Sequence, residues 1–401
     1  MEPYVIAPAR RAFLTDKFLT CFDAAPTHWF SAPGRTEIGG NHTDHQQGRV
    51  LAAAVNLDTI AAVRPTKTGL IRVMSQGHPM CVVDTKEMRP VEAERGRTAA
   101  FIRGVAAGFA GLGCEIGGFD ACVASDVPPG AGLSSSAAFE VLLGTILNYL
   151  YFDGKAFPLE TAKIGKMAEN VYFGKPCGLM DQATSAMGNL VAMDFADLEN
   201  PTIAPIDFDF TAVGYALCIL DTGASHAHLT DAYAAIPREL QTVCAYFGKT
   251  VLREVPEEAF YQELCGLRKK CGDRAVLRAM HVYAENRRVL RQTEALTHHD
   301  FAAFLSLVSE SGRSSYMYLQ NVLRAGSSAC QDMAFTLGFC DQLLHGEGAF
   351  RVHGGGFAGT VQAFVPMERL HFFRRETEKV LGSGKCRVLS IRPWGGIPIT
   401  L

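Results

Sequence analysis

The segment from Pro128 to Ala137 places two glycines and three consecutive serines directly before a long apolar run, residues 139–150. Glycines at positions 130 and 132 let the backbone turn sharply and approach a ligand closely. This order predicts a loop that leads into a helix N-terminus, where free N–H groups and the helix dipole attract anions. A nucleotide phosphate is therefore the expected ligand, although glycine–serine clusters also form ordinary turns.

The composition limits the classes of protein to which the chain can belong. It has 401 residues and a formal net charge of −3, without a long basic stripe, so nucleic acid is not an expected partner. Charged residues interrupt the first thirty positions, and no apolar stretch is long enough to predict a membrane span. The 12 cysteines form no Cys-x-x-Cys pair, which predicts reduced thiols in a cytoplasmic protein.

Hydrophobic periodicity predicts strands and helices in both halves of the chain. The predicted strands cover residues 52–63, 70–73, 80–83, 119–124, 212–220, 361–365 and 388–391. Helices are predicted over residues 98–111, 137–151, 159–172 and 181–187, and they dominate residues 231–344. A polar, proline-interrupted stretch at residues 201–209 predicts a junction, and hence two domains, 1–205 and 206–401.

Three further segments combine glycines with polar or charged groups that would serve a hydrophobic core poorly. They are Pro33–His45 with Gly-Gly-Asn-His-Thr-Asp, Gly174–Gln182 with Cys-Gly-Leu-Met-Asp-Gln, and Arg351–Gly359 with three consecutive glycines. Each segment alone is also compatible with a capped turn. Their joint presence and order are more informative than any one of them.

Together with the serine loop, these segments resemble the motifs of the GHMP kinase superfamily, and within it the galactokinases. The resemblance implies a two-domain α+β fold, with an N-terminal domain similar to domain 2 of ribosomal protein S5 and an α/β C-terminal domain. It places the active site in the cleft between the domains. It also implies ATP and Mg²⁺, and phosphoryl transfer to the anomeric hydroxyl of a small-molecule sugar.

The resemblance assigns roles only where the motifs match. Asp181 and Arg35 correspond to the catalytic pair. The residues implied for the ATP phosphates are Gly130, Gly132, Ser134, Ser135, Ser136, Gly355 and Gly356; those for the metal are Ser136 and Glu169; those for the sugar are Asn41, His42, Asp44, Gly178 and Tyr233. Because an arginine and a helix N-terminus both lower a carboxylate pKa, we expect Asp181 to be a weak base that mainly positions the hydroxyl.

The first segment departs from the galactokinase pattern Gly-Arg-Val-Asn-Leu-Ile-Gly-Glu-His-Thr-Asp-Tyr. Glu37 stands where the pattern has asparagine, and Asn41 stands where it has a glutamate that accepts a hydrogen bond from the sugar 6-hydroxyl. An asparagine can also donate, so a galacturonate carboxylate is an alternative to the favoured galactose.

Two further alternatives lie outside the sugar 1-kinases. One is a sugar-sensing regulator with the same fold, which the complete serine loop disfavours. The other is a GHMP kinase for a non-sugar alcohol, such as mevalonate or homoserine kinase, which the segment from Gly40 to Asp44 disfavours.

Overall fold

The computed structural model describes residues 4–224, 229–323 and 329–400, which form two sheets covered by helices. The strands are β1 (His28–Gly39), β2 (Arg49–Thr66), β3 (Leu70–Ser75), β4 (Cys81–Asp84), β5 (Gly118–Ser125), β6 (Leu190–Asp194), β7 (Thr202–Ile206), β8 (Tyr215–Asp221), β9 (Ala349–His353), β10 (Thr360–Pro366), β11 (Cys386–Leu389) and β12 (Ile397–Ile399).

The α-helices connect and cover these strands. They are α1 (Pro8–Phe22), α2 (Thr98–Gly111), α3 (Ser135–Tyr151), α4 (Pro158–Met167), α5 (Met180–Met187), α6 (Thr230–Tyr246), α7 (Glu257–Gln262), α8 (Leu264–Cys271), α9 (Asp273–Thr297), α10 (Phe301–Ser314), α11 (Asp332–Leu344) and α12 (Met367–Leu381). No helix within the described ranges combines the length and apolar character that a membrane crossing requires.

The first sheet is built around the long strand β2, which pairs antiparallel with β1 along one edge and with β5 and β6 along the other. Its strand order is β12-β1-β2-β5-β3-β4, with β6 and β7 as a branch from β2. Alternate residues of β2 enter different cores: Ala61 and Val63 pack toward α2 and α3, whereas Ile60 and Ala62 pack toward α1. Burial on both faces explains the two apolar runs of this strand, residues 50–55 and 60–63, on either side of the polar stretch that contains Asn56 and Asp58.

The second sheet is antiparallel, with the order β11-β8-β10-β9. Its β8 strand also serves two cores, because Leu217 and Ile219 pack toward α9 and α10 while Cys218 and Leu220 pack toward α11 and α12. The core on the α9 and α10 side includes Ile38 of the first sheet, so the two sheets share apolar contacts.

The predicted helices over residues 98–111, 137–151 and 181–187 agree with α2, α3 and α5 to within two residues. The helix predicted over 159–172 is α4 followed by a π-helix, Ala168–Phe173. The sequence patterns do not predict β1, which contains the segment Pro33–Gly39. They also do not predict α1, β6, β7, β9, α12 and β12. In the helix-rich stretch 231–344, residues 324–328 lie outside the described residues.

The proposed division into 1–205 and 206–401 does not match sheet membership at the end of the chain. The last strand, β12, pairs antiparallel with β1 of the first sheet, with Trp29 opposite Ile399. Ile391 forms an isolated bridge with Val55 of β2. The C-terminal segment therefore returns to the N-terminal sheet, a long-range pairing that local composition does not reveal.

Candidate active site

Arg35 and Asp181 form a bidentate ion pair between strand β1 and the first turn of α5. Arg35 Nε lies 2.6 Å from Asp181 Oδ1, and Nη2 lies 2.8 Å from Oδ2. The arginine side chain is 9% exposed, whereas the aspartate is 31% exposed. The pair joins residues 146 positions apart and leaves the carboxylate accessible from a cavity.

The serine loop lies directly against this ion pair. Arg35 Nη1 donates to the Gly132 carbonyl, and the Ser134 hydroxyl donates to Asp181 Oδ2. Ser134 has a left-handed backbone (φ 55°) and immediately precedes α3. Gly132 also has a positive φ (70°), and a Cβ there would lie 2.9 Å from the His353 ring, so glycine is needed for both backbone and space.

The environment of Asp181 keeps this carboxylate ionised. Burial acts to raise the pKa of Asp181, but the Arg35 guanidinium and the Ser134 hydroxyl stabilise the charged form, and the pKa lies below its ordinary value. A carboxylate with a lowered pKa accepts a proton weakly but orients a hydroxyl donor well. This agrees with the expectation from the sequence that Asp181 is a weak base.

A second group of polar residues lies at the start of α3, beside the serine loop. Ser136 Oγ is 3.4 Å from Glu169 Oε1, and Lys175 Nζ is 3.0 Å from the same oxygen. Gln182 Nε2 donates to Glu169 Oε2 and to Glu140 Oε2, each at 2.9 Å. Burial, followed by repulsion from Glu169, raises the pKa of Glu140 well above its ordinary range.

A cavity of about 220 Å³ opens beside the ion pair, between β1, the segment before α5 and the third glycine segment. Its lining residues are Arg35, Glu37, Asn41, His42, Asp44, His45, Lys175, Pro176, Cys177, Gly178, Met180, Asp181, Gly354 and Gly355. Burial lowers the pKa of His42, whose neutral ring donates from Nε2 to the Gly355 carbonyl at 3.0 Å. Four of the five residues predicted to contact sugar therefore line one cavity.

Tyr233, the fifth predicted sugar residue, contacts the cavity wall. Its hydroxyl donates to the Gly356 carbonyl at 2.7 Å, and its ring packs edge-on against Phe357. A Cβ at Gly355 would lie 2.5 Å from the tyrosine ring. The structure thus places Tyr233 as a support for the third glycine segment, and Gly355 lines the same cavity as Asp181.

A larger cavity, about 520 Å³, lies on the other side of the serine loop. Its lining residues are Thr59, Ser75, Gln76, His78, Thr98, Phe101, Val123, Ser125, Val127, Pro129, Ser135, Ser136 and Phe139. Sequence reasoning assigned only Ser135 and Ser136 from this set to a site. The others come from three strands (β2, β3 and β5), two helices (α2 and α3) and the loops between them, and no motif in the sequence marks them as neighbours.

On the expectation that this cavity holds the sugar implied by the sequence resemblance, Gly178→Ala should raise the KM for the sugar by about tenfold, because a Cβ at this position would lie 2.6 Å from Asp44 Oδ2 and displace the carboxylate. Steady-state kinetics with varied sugar at saturating ATP would measure the change. Gly338→Ala is the matched control, since nothing lies within 4 Å of a Cβ there. An unchanged KM in Gly178→Ala would contradict a sugar role for Asp44.

Comparison with known families finds two matches inside the first half of the chain. Residues 16–65 match the galactokinase galactose-binding signature, and residues 100–189 match the N-terminal domain of GHMP kinases. The first match contains Arg35, Asn41 and Asp44, and the second contains the serine loop, Glu169 and Asp181.

Individual relatives match over most of the chain. A galactokinase from Streptomyces coelicolor is 32% identical over 358 residues, which are 87% of each protein. A galactokinase from Actinobacillus pleuropneumoniae is 31% identical over 360 residues, 86% of each.

Solved structures show the same architecture. Lactococcus lactis galactokinase in complex with galactose superposes with a TM-score of 0.81 at 23% identity, covering 97% of this chain and 99% of that one. A mevalonate kinase superposes with a TM-score of 0.64 at 15% identity, covering 91% and 99%. The fold described above is therefore the fold of the GHMP kinases.

Proposed function

The chain belongs to the galactokinase family, and from this premise we propose that it transfers the terminal phosphoryl group of ATP to the anomeric hydroxyl of galactose. The observation that carries the proposal is the contact of Asp181 with both Arg35 and Ser134 at the mouth of a polar cavity. This contact brings together the Asp181 carboxylate as an acceptor for a sugar hydroxyl, the fixed positive charge of Arg35 and a serine loop suited to phosphate.

In this proposal Asp181 orients the anomeric hydroxyl and accepts its proton late in the reaction. Arg35 holds the aspartate and supplies positive charge beside the transferred phosphoryl group. Phosphoryl transfer gains mainly from such positioning and electrostatic stabilisation. Both side chains come from residues 1–205, and residues 206–401 supply Tyr233 and the third glycine segment.

The phosphates of ATP are proposed to lie at the serine loop and the N-terminus of α3, with contributions from Gly355 and Gly356. Ser136 and Glu169 are the proposed protein ligands for Mg²⁺, and their oxygens lie 3.4 Å apart, close enough to share one cation. Within the described residues no group of three metal-binding side chains occurs, which fits an ion whose other ligands are phosphates and waters. When bound, Mg²⁺ supplies positive charge to the phosphate oxygens.

The larger cavity beside Ser135 and Ser136 is the proposed site of the nucleotide base. It adjoins the phosphate loop, and Phe101 and Phe139 give its lining two aromatic side chains, which suits a planar ring. Eleven cysteines, those other than Cys330, form no disulfide among the described residues, which supports the cytoplasm as the proposed compartment.

We expect galactose to give the highest kcat/KM in a panel of acceptors that also contains arabinose, galacturonate, N-acetylgalactosamine and mevalonate. Coupled detection of ADP release would measure turnover, with identification of the phosphorylated product by NMR. ATP binding without turnover of any acceptor would indicate a regulator instead, and a preference for mevalonate would reject the sugar-kinase assignment.

A further inference from the structure

Glu37 and Asn41 carry a carboxylate and an amide in the reverse order to the galactokinase pattern, and they are hydrogen-bonded to each other. Asn41 Nδ2 lies 3.1 Å from Glu37 Oε1. We propose that Glu37, rather than Asn41, accepts a hydrogen bond from a hydroxyl at the end of the sugar remote from the anomeric position. The cavity would then select a neutral sugar over a uronate. This inference rests on the proposed function and deepens it.

Asn41 has no free donor with which to bind a sugar carboxylate. Its amide nitrogen donates to Glu37 Oε1 and, at 2.6 Å, to the Gly354 carbonyl. Its Oδ1 accepts from Asn321 Nδ2 at 3.0 Å, and the residue is 1% exposed. An amide nitrogen carries two N–H groups, so both are used inside the protein. The role of Asn41 is to tie β1 to the third glycine segment.

Glu37, by contrast, keeps one oxygen for the cavity. Its Oε1 accepts from Asn41 and from Arg351 Nη2, the latter at 2.5 Å, which anchors the side chain. No hydrogen bond to Oε2 occurs among the described residues, and Glu37 lines the cavity. A carboxylate oxygen held in this way is an acceptor suited to a hydroxyl donor.

The position of Glu37 fits the far end of a sugar. Arg35, Thr36 and Glu37 pair in continuous register with β2, so residues 35 and 37 lie on the same face of β1. Two residues along a strand span roughly 6.5 Å, comparable to the length of a pyranose with its substituents. A sugar whose anomeric hydroxyl is at Asp181 therefore places its opposite end near Glu37.

The charge balance of the cavity also disfavours a uronate. Asp44 lines the cavity as a second carboxylate. Its Oδ1 accepts from the His45 N–H at 2.9 Å, and its Oδ2 accepts no hydrogen bond from the part of the chain that the structure describes. The cations Arg35 and Lys175 are already paired with Asp181 and Glu169. The remaining basic side chains in the described lining are His45 and His42, and burial lowers the pKa of His42 so that its ring is neutral. A sugar carboxylate would meet like charge without a free guanidinium or ammonium partner.

The test begins with the unaltered protein and a series of acceptors: galactose, 6-deoxygalactose, 6-deoxy-6-fluorogalactose and galacturonate. We expect the deoxy and fluoro sugars to lower kcat/KM by about 10- to 100-fold, since neither can donate to a carboxylate, and galacturonate to lower it by more than about 100-fold. Equal use of galactose and the deoxy sugar, or a preference for galacturonate, would overturn the inference while leaving a sugar 1-kinase. Turnover of none of these sugars would instead overturn the proposed function.

Variants then test whether Glu37 is responsible for the discrimination between galactose and 6-deoxygalactose. Glu37→Gln is expected to lower kcat/KM for galactose by about tenfold and to leave that for 6-deoxygalactose within about twofold. Glu37→Asp, which keeps a carboxylate for the ion pair with Arg351, is the matched control and should retain more of the preference for galactose than Glu37→Gln does. An equal loss on both sugars in Glu37→Gln would show a merely structural role and reject the assignment.

Discussion

Asp181→Asn lowers kcat by about 10²- to 10⁴-fold while ATP still binds: this is the largest effect on activity that the structure leads us to expect. The substitution removes the charge that we propose accepts the hydroxyl proton, and it breaks a bidentate contact with Arg35. Rapid-quench measurement of sugar phosphate would give kcat, and fluorescence titration with a labelled ATP analogue would give nucleotide affinity.

The ion pair between Arg35 and Asp181 leads to a second prediction about the same site. Because Arg35 holds Asp181 and contacts the Gly132 carbonyl, Arg35→Ala should also abolish most turnover, and the double variant should be scarcely worse than either single one. Asp120→Asn is the matched control, since this buried aspartate pairs with Arg72 in the same sheet, away from the cavity. Substantial turnover in both purified site variants would reject the catalytic assignment.

Asp58→Ala is expected to lower the free energy of unfolding by about 3–5 kcal/mol, the largest effect on stability that we anticipate. Asp58 is 1% exposed and lies 2.6 Å from Arg10 and 2.8 Å from Arg392. Tyr4 and Ser31 also donate to its carboxylate. Removing it leaves Arg392, itself 4% exposed, without its carboxylate partner inside the protein. Urea denaturation followed by circular dichroism would measure the loss.

Asp120→Ala serves as the control for stability as well. Its partner Arg72 is 38% exposed, so water can solvate the guanidinium after the substitution, and a loss of about 1 kcal/mol or less is expected. A loss in Asp58→Ala as small as that expected for Asp120→Ala would contradict the view that Asp58 stabilises the contact between the N-terminal helix, β2 and the C-terminal segment.

The local patterns of the sequence were sufficient for the helices nearest the site. Residues 98–111 were predicted as a helix with the bounds of α2, because a 3.6-residue apolar period depends only on the segment itself. The same holds for the start of α3, where the glycines and serines predict a turn before an apolar run. Strand β1 was missed because its glycine, proline and charged residues are poor strand formers, and pairing with β2 overrides their propensity.

Local patterns in the chain therefore establish the chemical content of the four glycine-containing segments and the helices that present them. Which of those groups remain free to act depends on contacts made in the folded molecule. Asn41 looked like a sugar-binding amide, yet its donors are used by Glu37 and by Gly354, the latter 313 positions away. Hydrogen-bond partners that come from distant elements leave no periodic signal in the chain, and so only the folded arrangement shows that Glu37 keeps an acceptor for the cavity.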